Sequence, residues 1–270
     1  MALNGKISAF LILVIFAISL LAPYIVSYDP ASIDLDSLKQ PPSMKHLLGT
    51  DNKGRDILSR VLYGGRISIS IAVLAALISM SIGLLIGLLS GYYGGKLDTF
   101  FMASVDLVLA FPSLLLAIGV SVVFPPGIYT VMIAISAVGW ASFARLIRGQ
   151  VIFLRESSFV EASKAIGCSN ARIVLVHILP QCIPLAFVMT GLKLGGYVLT
   201  EAALSFLGLG AQPPDATWGS MISANRVFIS SAPWMVFSPG ILIAITAISF
   251  NVLGDDLREK YNVQRNGRSL

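Results

Sequence analysis

The chain has 270 residues, of which 56% are hydrophobic and 12% are charged, and its mean hydropathy is +0.82. A soluble domain carries roughly a quarter charged residues, so this composition excludes an ordinary soluble protein. The net charge of +5 alone would suit a nucleic-acid partner, but the basic residues are distributed as in membrane proteins, and we expect no nucleic acid.

Six apolar stretches predict an all-α membrane protein with six transmembrane helices. They cover residues 7–26, 67–89, 100–124, 129–145, 183–204 and 235–252. A spanning helix needs about 20 mostly apolar residues, whereas the strands of a membrane barrel are shorter and alternate in polarity. The fourth stretch is short and the third contains Pro112, so the sequence defines the ends of these two poorly.

The basic residues predict the orientation of these spans. With a cytoplasmic N-terminus, the loops after the second and fourth spans and the C-terminus also lie in the cytoplasm. These regions contain Lys6, Lys96, Arg145, Arg148, Arg155, Lys164, Arg172, Arg258, Lys260, Arg265 and Arg268. This positive-inside distribution predicts a multi-pass protein of a bacterial or archaeal plasma (inner) membrane, surrounded by membrane lipid, with both termini cytoplasmic.

The chain divides into three predicted parts. Residues 1–65 form a first transmembrane helix and an external segment, in which basic residues are offset by aspartates. Residues 66–257 form a five-helix core with a cytoplasmic loop at 148–180, and residues 258–270 form a cytoplasmic tail. The first apolar stretch is interpreted as a retained helix, since it is long and no small-residue cleavage site precedes Ser27.

The polar loop between the fourth and fifth spans has the most informative pattern. Glu161, Ala162 and Ala165 fall on one side of a short helix. Ser163 adds a third small residue, and Gly167 is a natural helix stop. The loop is therefore predicted to contain a helix whose small side chains allow another protein surface to approach closely.

A second short helix is predicted to follow. Ser169 or Asn170 can cap it, and Leu179 and Pro180 stand where the fifth span begins, at which a first-turn proline is tolerated. Two interpretations of the loop remain open on the residues alone: a hairpin for a partner protein, or an amphipathic helix lying on the membrane.

The loop resembles the EAA loop of ABC import permeases, where a separate ATPase grips the membrane channel. Further segments extend the resemblance over nearly the whole chain, to the C-type permease subunit of the dipeptide/oligopeptide/nickel ABC importers. They are 46–51 (HLLGTD), 54–56 (GRD), 59–60 (SR), 91–95 (GYYGG), 109–112 (LAFP), 144–145 (AR), 201–210 (EAALSFLGLG), 218–219 (WG) and 251–255 (NVLGD).

The chain departs from the family pattern at a few positions. Ser163 replaces the usual alanine, His177 stands where the general pattern has isoleucine, and Ala103 stands where an arginine is expected. The tail also lacks the usual Asp-Pro ending. Only the Ala103 difference affects an expected charge.

The resemblance implies half of a type I importer that carries di- or oligopeptides, or alternatively nickel or a nickel chelate. It implies a sister permease subunit, two cytoplasmic ATPase subunits and an extracytoplasmic solute-binding protein as partners. The ATPases would bind a set of coupling residues and drive alternating access. These residues are Glu161, Ala162, Ser163, Gly167, Leu179 and Pro180.

Three ionisable residues fall within the predicted spans. Such residues are rare at membrane depth and indicate either a transport path or a charge that fixes helix packing. Asp106 lies in the third span, and Lys193 and Glu201 lie in the fifth. Lys193 and Glu201 share nearly one helix face, but about 12 Å of helix separates them, so they are not expected to pair.

The external stretch 46–60 also allows two interpretations. Its alternating charges suit a raised edge on which the binding protein docks, or a cap that seals the first helix to the core. Trp140, Trp218 and Trp234 are interpreted as anchors at the membrane interface.

Neither catalysis nor a resident cofactor or metal is predicted. Both histidines lie outside the spans, no Gly-x-Ser-x-Gly segment is present, and the two cysteines have no zinc-ligand spacing, which argues against an intramembrane hydrolase. The phosphate-binding loop of an ATPase is also missing from the sequence. A stand-alone secondary transporter is a distant alternative, because matching helix interruptions in two halves are lacking.

Overall fold

A computed structural model describes residues 3–266, and over this range the regular elements are helical apart from one bridge between Thr50 and Asp56. The helices are α1 Leu3–Leu20, α2 Ala22–Ile25, α3 Ile57–Tyr93, α4 Gly95–Leu109, α5 Ser113–Val122, α6 Ile128–Arg155, α7 Ser158–Ala165, α8 Asn170–Arg172, α9 Leu179–Phe206, α10 Trp218–Asn225 and α11 Trp234–Asn266. A π-helical turn, Ile173–Ile178, joins α8 to α9.

Among residues 3–266, four helical runs are long and apolar enough to cross a membrane. They are Ile57–Tyr93, Ile128–Arg155, Asn170–Phe206 and Trp234–Lys260. Each contains one of the predicted stretches, namely the second, fourth, fifth and sixth, and each extends beyond it. The first predicted stretch forms a shorter apolar helix, Asn4–Leu20, followed by α2.

The third predicted stretch is not one straight helix. It forms α4 and α5, which are bent by 94° relative to each other. Pro112 explains the break, because proline lacks the backbone N–H that a continuing helix needs and also disfavours helical geometry at the residue before it. The bent pair counts as one span only if both arms lie within the bilayer, so the structure contains four or five candidate spans by length and composition.

Glycines let α3 and α6 pack closely at the centre of the fold. A Cβ on Gly83 would lie 2.3 Å from the Phe143 Cβ, and one on Gly87 would lie 2.7 Å from the Ile147 Cβ. Gly91, one turn further on, faces α6 in the same way. This spacing of small residues every four positions is a recurrent means of helix association in membranes.

The segment that the sequence predicts to be external is folded against the core. The Asp56 carboxylate caps α3 by accepting a hydrogen bond from the Ser59 N–H at 2.8 Å and contacts the His46 Nδ1 at 2.9 Å. Both His46 and Asp56 are buried. The Trp234 indole donates to the Thr50 carbonyl oxygen at 3.3 Å, which ties the segment to the start of α11. These contacts fit the cap interpretation.

Three sequence-based expectations differ from this fold. Because Asp56 caps α3, that helix begins at Ile57, so the predicted domain boundary at residue 65 lies inside a helix. The tail predicted from residue 258 continues α11 as far as Asn266, and residues 267–270 lie outside the described range. Trp218 is fully buried and donates to the Val61 carbonyl oxygen at 2.9 Å, so it is a core residue and not an interface anchor.

Candidate coupling and transport sites

The predicted coupling loop forms a compact hairpin, defined here as residues 156–178. Its first helix, α7, ends in a Schellman motif, in which Gly167 adopts the left-handed region at φ +81°. The Gly167 N–H donates to the Lys164 carbonyl oxygen at 3.0 Å, and the Cys168 N–H donates to the Ser163 carbonyl oxygen at 3.0 Å. A Cβ on Gly167 would meet nothing within 4 Å, so the chain itself leaves this corner open.

Ser169 and Asn170, both candidate caps in the sequence, have different partners. The Ser169 hydroxyl accepts a hydrogen bond from the Arg172 N–H at 3.4 Å and is therefore the cap of α8. The Asn170 side-chain oxygen instead accepts from the Tyr92 hydroxyl at 2.8 Å. This second bond fixes the hairpin to the C-terminal end of α3.

The second helix of the hairpin is not separate from the fifth span, which differs from the sequence-based expectation. The π turn carries α8 directly into α9 as one helical run, Asn170–Phe206. Pro180 lacks the N–H that would bond to the Val176 carbonyl, and just before it the Leu179 N–H bonds to the Val174 carbonyl oxygen in the wider π pattern. The proline therefore changes the hydrogen-bond spacing without ending the helix.

The hairpin rests on the C-terminal ends of α3 and α6. Its buried apolar residues share a cluster with residues of those helices. The cluster includes Leu88, Tyr92, Ile147, Val151, Leu154, Val160 and Ile173. The Arg148 guanidinium donates twice to the Asp98 carboxylate, at 2.6 Å each, and Ser90 donates to the same carboxylate. These polar bonds join α4 to α3 and α6, whereas the apolar cluster fixes the hairpin to α3 and α6.

The six predicted coupling residues divide by exposure. Glu161, Ala162, Gly167 and Pro180 are exposed, whereas Leu179 is half-buried. Ser163 is buried, and its hydroxyl donates to the Phe159 carbonyl oxygen at 2.7 Å. The exposed face also includes apolar side chains that the sequence analysis did not select, namely Ile166, Leu175 and Val176, which are 80%, 60% and 56% exposed.

The three ionisable residues of the spans have different surroundings. Asp106 is ion-paired with Arg145, and both side chains are exposed on this chain. Glu201 is fully buried and accepts a hydrogen bond from the Ser205 hydroxyl at 2.7 Å, within α9. Lys193 is half-buried, and its Nζ donates to the Ser142 hydroxyl of α6 at 3.3 Å.

Lys193 and Ser142 line a cavity of about 280 Å³ between α4, α5, α6, α9 and α11. Its walls are mostly apolar, with hydroxyl and amide groups from Tyr197, Thr200 and Asn251 among them. The sequence analysis missed Ser142. The sequence did contain a pattern that could have selected it. Ser142 lies three residues before Arg145 and therefore on the same side of that helix.

Residues 83–260 match the family model described as "Binding-protein-dependent transport system inner membrane component". The chain belongs to this family. It is 42% identical over 253 residues to the dipeptide transport system permease protein DppC of Alkalihalophilus pseudofirmus, with 94% of this chain and 82% of that protein covered. It is also 40% identical to the glutathione transport system permease protein GsiD of Escherichia coli, covering 93% of this chain and 84% of the relative.

A solved structure has the same fold. The chain resembles the MetNI methionine ABC transporter in an inward-facing conformation with a TM-score of 0.61 and 19% sequence identity, covering 75% of this chain and 97% of that chain. The resemblance to the ABC importer permeases is therefore confirmed, and the chain is a membrane-integral permease of such an importer. It is a transport component rather than an enzyme, and ATP hydrolysis belongs to partner ATPases.

Proposed function

We propose that this permease forms half of a translocation path for di- or oligopeptides, together with a sister permease subunit. Supporting this cargo, the relatives include a dipeptide permease and a glutathione permease, each similar over more than nine-tenths of the chain. Two cytoplasmic ATPase subunits and an extracytoplasmic binding protein complete the proposed assembly, and both termini of the permease lie in the cytoplasm.

The exposed face of the hairpin carries the mechanical part of the proposal. It combines small residues with Ile166, Leu175 and Val176, which are apolar and more than half exposed on this chain. A groove on an ATPase subunit would bury these side chains, and Glu161 at their edge would provide a polar contact. The same hairpin is packed and hydrogen-bonded to α3, so a displacement of the hairpin would move the core helices with it.

The proposed cycle is alternating access. Closure of the ATPases on ATP would push the two hairpins together and turn the paired permeases outward, where the binding protein delivers its cargo. Hydrolysis would return them to the inward-facing state. Such switching uses rigid-body motion of packed elements, which requires the hairpin and core to move as one.

This function predicts a defined assembly and a defined activity. We expect co-purification with a sister permease and two ATPase chains when all are co-expressed, because one chain provides only one wall of a path. Vesicles containing the assembly and supplied with the cognate binding protein should take up a labelled dipeptide only when ATP is present. Matched vesicles that lack this permease provide the control. ATP-independent uptake by this chain alone would contradict the proposal and favour a stand-alone transporter.

A further inference from the structure

Lys193 lies near the middle of α9, at the fifteenth of its 28 residues. A cation at this depth is costly unless it is paired or faces a polar cavity. Glu201 lies eight residues away, which is about 12 Å along the helix and too far for direct contact. Asp106, the other acidic residue of the stretches predicted as spans, is already paired with Arg145.

The Lys193 ammonium is only partly satisfied within the described part of the chain. It carries three N–H donors, of which one reaches the Ser142 hydroxyl at 3.3 Å. None of the ion pairs found among residues 3–266 includes Lys193. The remaining donors are therefore available to a group that enters the cavity.

The cavity has the chemistry of a site for a small amphiphilic anion. Lys193 and Ser142 form a donor pair, while Val138 and Leu192 belong to an apolar wall. Gly196 lies one turn from Lys193 on α9, and a Cβ at this position would meet nothing within 4 Å, so the space beside the ammonium is open. Binding sites for small molecules typically combine a mostly apolar lining with a few polar groups that set orientation.

We propose that Lys193 and Ser142 form a subsite for the carboxylate of the cargo as it passes through the permease. The proposal rests on the peptide cargo of the proposed function and adds a residue-level contact to it. The ammonium binds the C-terminal carboxylate, the Ser142 hydroxyl supports the ammonium, and the apolar wall accepts the adjoining side chain of the peptide. An opposing acidic residue of the sister permease is the competing partner for Lys193.

The test compares a dipeptide with its C-terminal amide, which has the same shape and no carboxylate. Uptake of each is measured in the complete reconstituted assembly for the wild type, Lys193→Met, Lys193→Arg and Ser142→Ala. Every variant receives the same binding protein, so the preference of that protein cancels when the carboxylate-to-amide uptake ratios are compared between permeases.

We expect Lys193→Met to lower the carboxylate-to-amide ratio by about tenfold, since hydrogen bonds to charged groups are the strong ones. Lys193→Arg should keep most of the ratio because the positive charge is retained, and Ser142→Ala should lower it less than Lys193→Met does. If Lys193→Met does not assemble, Lys193→Gln provides the same comparison with a neutral polar side chain.

Two results would overturn the subsite. One is an unchanged ratio in Lys193→Met while the wild type transports the dipeptide. The other is a reduced yield of the permease pair in Lys193→Met and Lys193→Gln with an unchanged ratio in the assembly that still forms, which would make the sister subunit the partner of Lys193. A wild-type assembly that takes up neither compound would instead refute the peptide cargo itself, and the subsite with it.

Discussion

At the residue scale, Asp56 connects several features of the external segment. One carboxylate oxygen accepts from both the Ser59 N–H and the Ser59 hydroxyl, each at 2.8 Å, and the other contacts the His46 ring. The same residue thus starts α3 and holds the segment against the N-terminal end of that helix. This arrangement explains why the charged stretch 46–60 is largely buried.

Replacing Asp56 by alanine should destabilise the permease measurably. The substitution removes a helix cap, which is worth about 1 kcal/mol, and leaves a buried histidine nitrogen without its partner. We expect the melting temperature of the purified assembly to fall. Asp36→Ala is a suitable control, because Asp36 is exposed and outside these contacts. Equal melting temperatures for the two variants would contradict the proposed role of Asp56.

The ionisable residues show where prediction from sequence stops. Their positions within the spans were evident from the apolar pattern, but their partners were not. Asp106 and Arg145 are 39 residues apart in the chain, and Lys193 and Ser142 are 51 apart. Such pairs depend on how separate helices rotate against each other, which a single sequence does not specify.

At the scale of elements, Gly167 permits a direct test of the hairpin. Valine rarely adopts a positive φ, whereas asparagine tolerates it, and a Cβ at this position would meet nothing in the chain itself. Gly167→Asn should therefore preserve the fold and still obstruct an approaching ATPase, while Gly167→Val should add backbone strain. We expect both variants, and Glu161→Lys, to lower ATPase recovery and uptake at matched permease levels.

The control for this experiment is Gly127→Val in the turn between α5 and α6. A Cβ on Gly127 would also meet nothing within 4 Å, but the φ of 167° at this residue is extended backbone that valine adopts readily. The control variant should leave ATPase recovery unchanged. Normal uptake by Gly167→Val and Glu161→Lys would identify the hairpin as a helix that merely lies on the membrane.

Local signals in the sequence were sufficient for some elements and not for others. The glycine stop and the cap at Ser169, one of two candidate caps, depend on residues within a few positions of each other, and both are present in the structure. The 94° break at Pro112 was not predicted, because the third apolar stretch was interpreted as a single span. The π turn was not predicted, because Pro180 is compatible both with a new helix and with a widened turn in a continuing one. The glycine spacing in α3 was visible in the sequence, but its packing against α6 depends on the tertiary fold.

At the scale of the whole molecule, the orientation of the chain in the membrane can be measured by cysteine labelling. Lys164 on the hairpin and Met44 on the external segment are both exposed, Met44 to 95%. In a variant lacking Cys168 and Cys182, we expect Lys164→Cys to react with a membrane-impermeant maleimide only after the membrane is opened. Met44→Cys should react in intact spheroplasts. Reaction of Lys164→Cys with the reagent added outside intact cells would contradict the proposed topology.

The overall architecture was more predictable than its boundaries. Long apolar stretches identify helices because lipid requires every backbone polar group to be satisfied internally. The lengths of these helices were underestimated, since α3, α6 and α11 all continue well past the apolar residues into polar ones. Helix ends outside the bilayer are set by caps and packing, such as Asp56 at α3 and the cluster beneath the hairpin, rather than by hydropathy.

The continuity of the helical run Asn170–Phe206 has a mechanical consequence. The second half of the hairpin and Lys193 belong to one continuous helix, and about 35 Å of it separates Asn170 from Lys193. If the run tilts by about 10° around Lys193, Asn170 moves by about 6 Å. On the proposed function, the run is therefore a lever arm that converts a displacement of the hairpin by the ATPases into a smaller rotation of the α9 residues that line the cavity.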